Sequence, residues 1–195
     1  MQAFIEAEFA KSLDNFRRMQ GDATLHADLL RAVETCVDSL RAGGKVMFAG
    51  NGGSAADAQH WAGELVSRFY YDRPGLAGLA LTTDSSILTA VGNDYGYDYT
   101  FARQVEALGR PGDVLVAIST SGNSPNIVRA VECARTQRIA VIGFTGKTGG
   151  KLAGLSDPCF RVPSDETPRI QEGHEFLGHL LCALIEAQMH PRDAG

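Results

Sequence analysis

A chain of 195 residues is long enough for one domain with a full hydrophobic core and too short for two. Its 44% hydrophobic and 21% charged residues are those of a globular protein, not a disordered or fibrous one, and no apolar run approaches the roughly 20 residues needed to cross a membrane. The net charge of −5, with Lys and Arg unclustered, offers no footprint for nucleic acid, so an anionic ligand would have to be small and held by local interactions.

Residues 2–42 read as two helices. Phe4, Ile5, Phe9, Leu13 and Phe16 form one apolar stripe, and Leu25, Leu29, Leu30, Val33, Val37 and Leu40 form another. Gly21 to Thr24 separates the two, and Gly43-Gly44 ends the second. Such stripes exceed what one small core needs, which makes the pair a candidate for packing against another subunit. The N-terminal segment mixes charged and apolar residues at helical spacing and lacks the basic start and apolar block of a secretion signal. Cys36, Cys133, Cys159 and Cys182 are scattered in apolar neighbourhoods with no CxxC pair, the pattern of buried free thiols in a cytoplasmic protein.

After Gly44 the pattern changes to short apolar runs between glycine-rich turns. KVMFAG, GLAGLALT, DVLVAIS, IAVIGFT and DPCFRV are the expected strands. Helices are expected at 54–68, at 85–108 with a break near Gly92, at 124–136 and at 148–154. A closing helix from about Arg169 to Met189 would turn Ile170, Leu177, Leu181, Leu184 and Ile185 inward. Near-continuous apolar strands alternating with helices specify a parallel sheet covered on both faces, with ligands at the carboxyl ends of its strands.

Two loops at those ends stand out. The first strand runs into Gly50-Asn51-Gly52-Gly53-Ser54-Ala55, a match to the GxGxxA dinucleotide pattern. The ribose-binding acid that should follow about 20 residues later is missing, since Asp72 precedes the second strand and Asp84 follows it. A P-loop is ruled out because no Gly-Lys-Ser/Thr occurs there. A tight glycine turn serving only helix-sheet packing is the plain alternative. The third strand runs into Ser119-Thr120-Ser121-Gly122-Asn123-Ser124, which sets four hydroxyls at the start of a helix near Pro125. That end carries free N–H donors and partial positive charge and can hold a phosphate without lysine or arginine; capping alone would need one hydroxyl.

His60 and Glu64 are four apart on the helix after the first loop and share a face. Such a pair can hold a divalent ion and can equally form a surface ion pair. In the closing helix, RIQEGHEFLGHLLCALIE, Gln171 and His179 differ by about 80° around the axis and lie two turns apart. His179 interrupts an apolar run and needs a partner, which a backbone carbonyl or a metal would supply. His174 and Glu175 share this helix, and spacing alone does not say which of the four polar residues point inward.

Taken together, GNGGSAADAQHWAGEL, the Gly92-Asn93-Asp94 triplet, ISTSGNS at 118–124, TGKTGGKLAG at 145–154 and RIQEGH at 169–174 resemble the sugar isomerase (SIS) fold and, within it, the phosphoheptose isomerase family. The resemblance extends from the leading helices to about Met189. It implies an α/β SIS fold: a five-stranded parallel sheet, flavodoxin-like and three-layered, behind two N-terminal helices. One domain would span 1–195, with 1–42 used in oligomer packing and 43–189 forming the core and closing helix. It implies a homotetramer with active sites at subunit interfaces. Ser119, Thr120, Ser121 and Ser124 would hold the substrate phosphate, and Asn51, Gly52, Gly53, Ser54, Asn93 and Asp94 would line the sugar site with Glu64 and Gln171. A zinc ion (Zn2+) would be held by His60, Glu64, Gln171 and His179. The segment Ser164 to Pro168 matches no family motif, and no role is assigned to it.

The implied reaction interconverts sedoheptulose 7-phosphate and an aldoheptose phosphate through an enediol, with Glu64 as base and His179 as acid or proton shuttle. Two other readings remain within the same fold: a non-catalytic relative that binds the bacterial replication initiator DnaA, and an isomerase or regulator acting on a hexose phosphate. The DnaA-binding relative lacks the ionisable site residues, whereas His60, Glu64, Gln171 and His179 are all present here.

Overall fold

The computed structural model describes residues 1–192. Helices α1 (Gln2–Gln20) and α2 (Ala23–Arg41) are divided at Gly21-Asp22, where the Asp22 carboxylate accepts from the amides of Thr24 and Leu25 at 2.9 and 3.1 Å and so caps α2. α2 buries Leu25, Leu29, Val33 and Val37, while Leu30 on its outer side stays exposed. The α1 stripe finds little cover within the chain: Phe4 is 68% exposed and Phe9 67%. Phe16, at the end of that stripe, meets Phe176 edge-on at 5.5 Å.

The five expected strands form β1 (Val46–Ala49), β2 (Gly78–Ala80), β3 (Val114–Ile118), β4 (Ala140–Gly146) and β5 (Cys159–Val162), all parallel in the order β2-β1-β3-β4-β5. The helices α3 (Gly53–Val66), α4 (Ser85–Asp94), α5 (Ala102–Leu108), α6 (Pro125–Thr136) and α7 (Thr167–Met189) complete three layers. Strand alternation sorts the side chains. Val46, Phe48, Val116, Ile118, Ile142 and Phe144 pack with α2, α3 and α7, whereas Met47, Ala49, Leu115, Ala117 and Val141 pack with α5 and α6.

Three local expectations are corrected. The long helix expected at 85–108 does not break at Gly92, which lies inside α4; the break falls at Tyr95–Thr100, where Gly96 takes a φ of 91° and a short 3-10 turn follows. The helix expected at 148–154 shrinks to a 3-10 turn at Lys151–Gly154, because Gly149 and Gly150 hold positive φ. Of the four free cysteines, Cys36 and Cys182 are buried, and burial pushes the Cys36 thiol up to about 12. Cys133 on α6 and Cys159 on the edge strand β5 are only partly covered.

At the site α3 packs directly on α7. Trp61 is fully buried, with ring centroids 5.0 Å from Phe144 and 6.2 Å from Phe48, and its indole lies directly on Gly178 of α7, where a Cβ would collide with it. The far end of α3 is fastened by Arg73, which donates to the carbonyls of Glu64 and Leu65 at 2.8 and 2.6 Å and to the buried Glu186 carboxylate at 3.1 Å. Glu186 also accepts the Phe69 and Tyr70 amides, both at 2.7 Å, which fixes the chain segment leaving α3.

One turn from Gln171, His174 turns into the core, where its Nε2–H donates to the Thr145 carbonyl at 3.0 Å and Nδ1 has no partner. Burial lowers its pKa from 6.5 to about 4, against the opposing pull of that hydrogen bond. Above pH 6.5 the imidazole is neutral whether the chain is folded or not; between pH 6.5 and 4 the unfolded chain takes a proton that the folded one refuses. Urea unfolding should therefore show stability falling by up to about 3 kcal/mol from pH 7 to pH 4 on account of this group. His174→Gln, which keeps a donor and cannot titrate, should flatten that part of the profile.

Candidate active site

The two loops singled out in the sequence leave β1 and β3 side by side, since these strands pair directly. In the first, Gly52 has a φ of 58°, a conformation that favours glycine, and α3 begins at Gly53. Asn51 Nδ2 donates to Asn126 Oδ1 and Asn126 Nδ2 to Asn51 Oδ1, both at 2.9 Å, and the Tyr97 hydroxyl donates to Asn51 Oδ1 at 3.1 Å. Asn126 is buried in the first turn of α6, so this amide pair joins the first loop to the helix launched by the second.

In the second loop the hydroxyls of Ser119 and Ser124 are 2.9 Å apart and those of Ser119 and Ser121 3.5 Å apart. Pro125 opens α6 at a position where its missing N–H costs no helix bond. The end of β4 and the segment after it brace this loop: Gly146 N donates to Thr120 O at 2.9 Å, Lys151 N to Asn123 Oδ1 at 3.1 Å and Leu152 N to Gly122 O at 3.1 Å. Three of the four expected hydroxyls are thus clustered, while Thr120 contributes its carbonyl to the brace.

Further along α3, His60 and Glu64 meet α7. Among the described residues, the ligand atoms of His60, Glu64 and His179 lie within 4.8 Å of one another. His60 Nε2 is 3.0 Å from Glu64 Oε1 and 3.3 Å from His179 Nε2, and the two rings stand edge to face with centroids 4.9 Å apart. Two imidazoles and a carboxylate converging in this way are the donor set that zinc takes, so the residues fit a divalent transition metal. Gln171 touches the first loop, its amide packed so tightly on Gly53 that a Cβ there would strike it. His60, Glu64 and His179 remain 45%, 23% and 37% exposed, so the group is open to substrate.

Glu175 was not among the expected site residues. Its Oε1 is 2.8 Å from His60 Nδ1 and 3.0 Å from His179 Nε2, and its Oε2 accepts from Trp61 Nε1 at 3.0 Å. The signal available in the sequence was its position four residues before His179, the spacing that relates His60 to Glu64. Asp57, one turn before His60, has one buried carboxylate oxygen with no partner; burial first and the charge of Glu175 second push its pKa up to about 6, while His60 pulls it down. Three acids around two histidines favour a cation here. Asn93 and Asp94 lie exposed at the end of α4, bonded to each other at 2.7 Å, and Ser54 is buried in the first turn of α3.

The SIS domain family matches residues 9–146. The phosphoheptose isomerase of Aneurinibacillus thermoaerophilus is 52% identical over 186 residues, covering 95% of this chain and 94% of that one. Its counterpart in Burkholderia pseudomallei is 53% identical over 183 residues, 94% of this chain and 93% of that one. The solved structure of phosphoheptose isomerase GmhA from Neisseria gonorrhoeae superposes with a TM-score of 0.89 at 44% identity, covering 95% of this chain and 98% of that one. The chain belongs to the SIS domain family and, within it, to the phosphoheptose isomerases.

Proposed function

We propose that this chain interconverts D-sedoheptulose 7-phosphate and D-glycero-D-manno-heptose 7-phosphate, the first step toward nucleotide-activated heptose for lipopolysaccharide core or another heptose glycan. The observation that carries this reading is the convergence of His60, Glu64 and His179 from two helices at one point, in a frame whose neighbouring strand ends in a hydroxyl-lined helix N-terminus suited to a phosphate. Relatives of about half-identical sequence over nearly their whole length bear the isomerase name, which supports it further and disfavours the DnaA-binding and hexose phosphate readings.

A ketose becomes an aldose when a proton leaves C1 and one arrives at C2, while the O1 hydroxyl gives up its proton to become the new carbonyl and the former carbonyl oxygen O2 gains one. Glu64 is the base that takes the carbon-bound proton, and His179, beside it, moves the proton between oxygens. Ser119, Thr120, Ser121 and Ser124 with the first amides of α6 bind the phosphate; Asn51, Gly52, Gly53, Ser54, Asn93 and Asp94 line the path of the sugar. His60, Glu64, Gln171 and His179 would hold zinc, which when bound stabilises negative charge on the substrate oxygens.

A homotetramer with sites at its interfaces fits two features. The exposed α1 stripe needs cover, and a cavity of about 510 Å3 lies away from the chemistry, between α1, α2 and α7, walled by Leu13, Phe16, Leu25, Leu29, Phe176 and Leu180. No helix among the described residues is long and apolar enough to cross a membrane, and four free cysteines suit the cytoplasm.

Incubation with sedoheptulose 7-phosphate, followed by NMR, should show the aldoheptose phosphate appearing, and a chelator should suppress it. No product from metal-replete protein refutes the assignment. Glu64→Gln should lower kcat by a factor on the order of a hundred or more while leaving binding of the sugar phosphate largely intact, as read by calorimetry. Ser121→Ala should act on binding instead, raising KM by about tenfold with a smaller change in kcat.

A further inference from the structure

Glu175 is built into the site more firmly than a surface carboxylate would be. Its Oε2 accepts from the indole N–H of Trp61, a side chain that is fully buried and pinned between Gly178, Phe48 and Phe144. Its Oε1 is thereby aimed at His60 Nδ1, 2.8 Å away. A carboxylate so placed accepts a hydrogen from that nitrogen, which leaves the His60 lone pair on Nε2. Nε2 is the nitrogen that faces Glu64 and His179.

We infer that Glu175 is a positioning residue for the metal site: its carboxylate selects the His60 tautomer and holds the ring so that Nε2 points at the ion shared with Glu64 and His179. The inference rests on the metal reading proposed above. An ordinary helix ion pair would use the (i, i+4) contact to His179 alone; here the same oxygen reaches across to the other helix, and the second oxygen is spoken for by a buried donor. A carboxylate behind a metal-bound histidine raises the basicity of the ligand nitrogen and fixes its direction, and losing one typically weakens metal binding by about ten- to a hundredfold. Gln at position 175 is close to the shape of Glu, but it can offer an acceptor to only one of the two N–H groups and must set its own NH2 against the other.

The test is zinc affinity, read by competition with a chromophoric chelator on the full-length protein and on Glu175→Gln and His60→Ala. Expected are zinc bound to the unmodified protein, loss of that zinc in His60→Ala, and about ten- to a hundredfold weaker binding in Glu175→Gln. Equal affinities for the unmodified protein and Glu175→Gln, with His60→Ala still losing zinc, would overturn the role of Glu175 and leave the metal site standing. An unmodified protein that takes up no zinc, or zinc that survives His60→Ala, overturns both. Long-range 1H–15N spectra of the zinc-loaded, unmodified protein give a readout that needs no variant to fold. The His60 proton should appear on Nδ1 with the metal on Nε2, and the opposite arrangement refutes the inference.

Discussion

The architecture of the site depends on how near α7 can come to α3. A glycine at 178 admits the Trp61 indole directly against the α7 backbone, and any side chain there would push the helices apart. His60 precedes Trp61 and His179 follows Gly178, so the contact that seals the core also sets the two histidines 3.3 Å apart. Burial of an indole stabilises by a few kcal/mol, far more than an exposed imidazole-carboxylate pair contributes, and so packing places the polar groups, not the reverse.

A second constraint connects the loops. The Asn51–Asn126 amide pair holds the glycine turn after β1 against the start of α6, and Gln171 packs against Gly53 from the other side. The hydroxyl loop, the glycine turn and the α3–α7 cluster are thus parts of one connected frame. Its bracing members are helix ends and side-chain amides; of the residues proposed to meet substrate, Ser121 is exposed, whereas Ser54 and Ser119 are buried.

The sheet was legible because strands buried on both faces must be nearly continuous apolar runs, a demand that β1, β3 and β4 met, while the edge strand β5 carries an exposed Arg161. The surplus on α1 was legible for the same reason: Phe4 and Phe9 lie on a helical stripe longer than the core that receives it. Glycine positions were read less well. Gly92 and Gly96 are equivalent as letters, yet only Gly96 adopts positive φ, because Asp84 caps a helix that runs through Gly92. The polar residues of α7 were the hardest to orient. Periodicity places His174, Glu175 and His179 around one axis, but their destinations depend on the Trp61–Gly178 contact and on the Thr145 carbonyl that draws His174 into the core. The carboxylate behind His60 could be seen only after both helices were in place.

Trp61 is the sole tryptophan of the chain, and its indole N–H is hydrogen-bonded to the carboxylate that touches both histidines. The chain therefore carries its own optical probe, a single indole hydrogen-bonded to the carboxylate that stands beside the reacting groups. Excited at wavelengths that the five tyrosines do not absorb, its emission comes from the site alone.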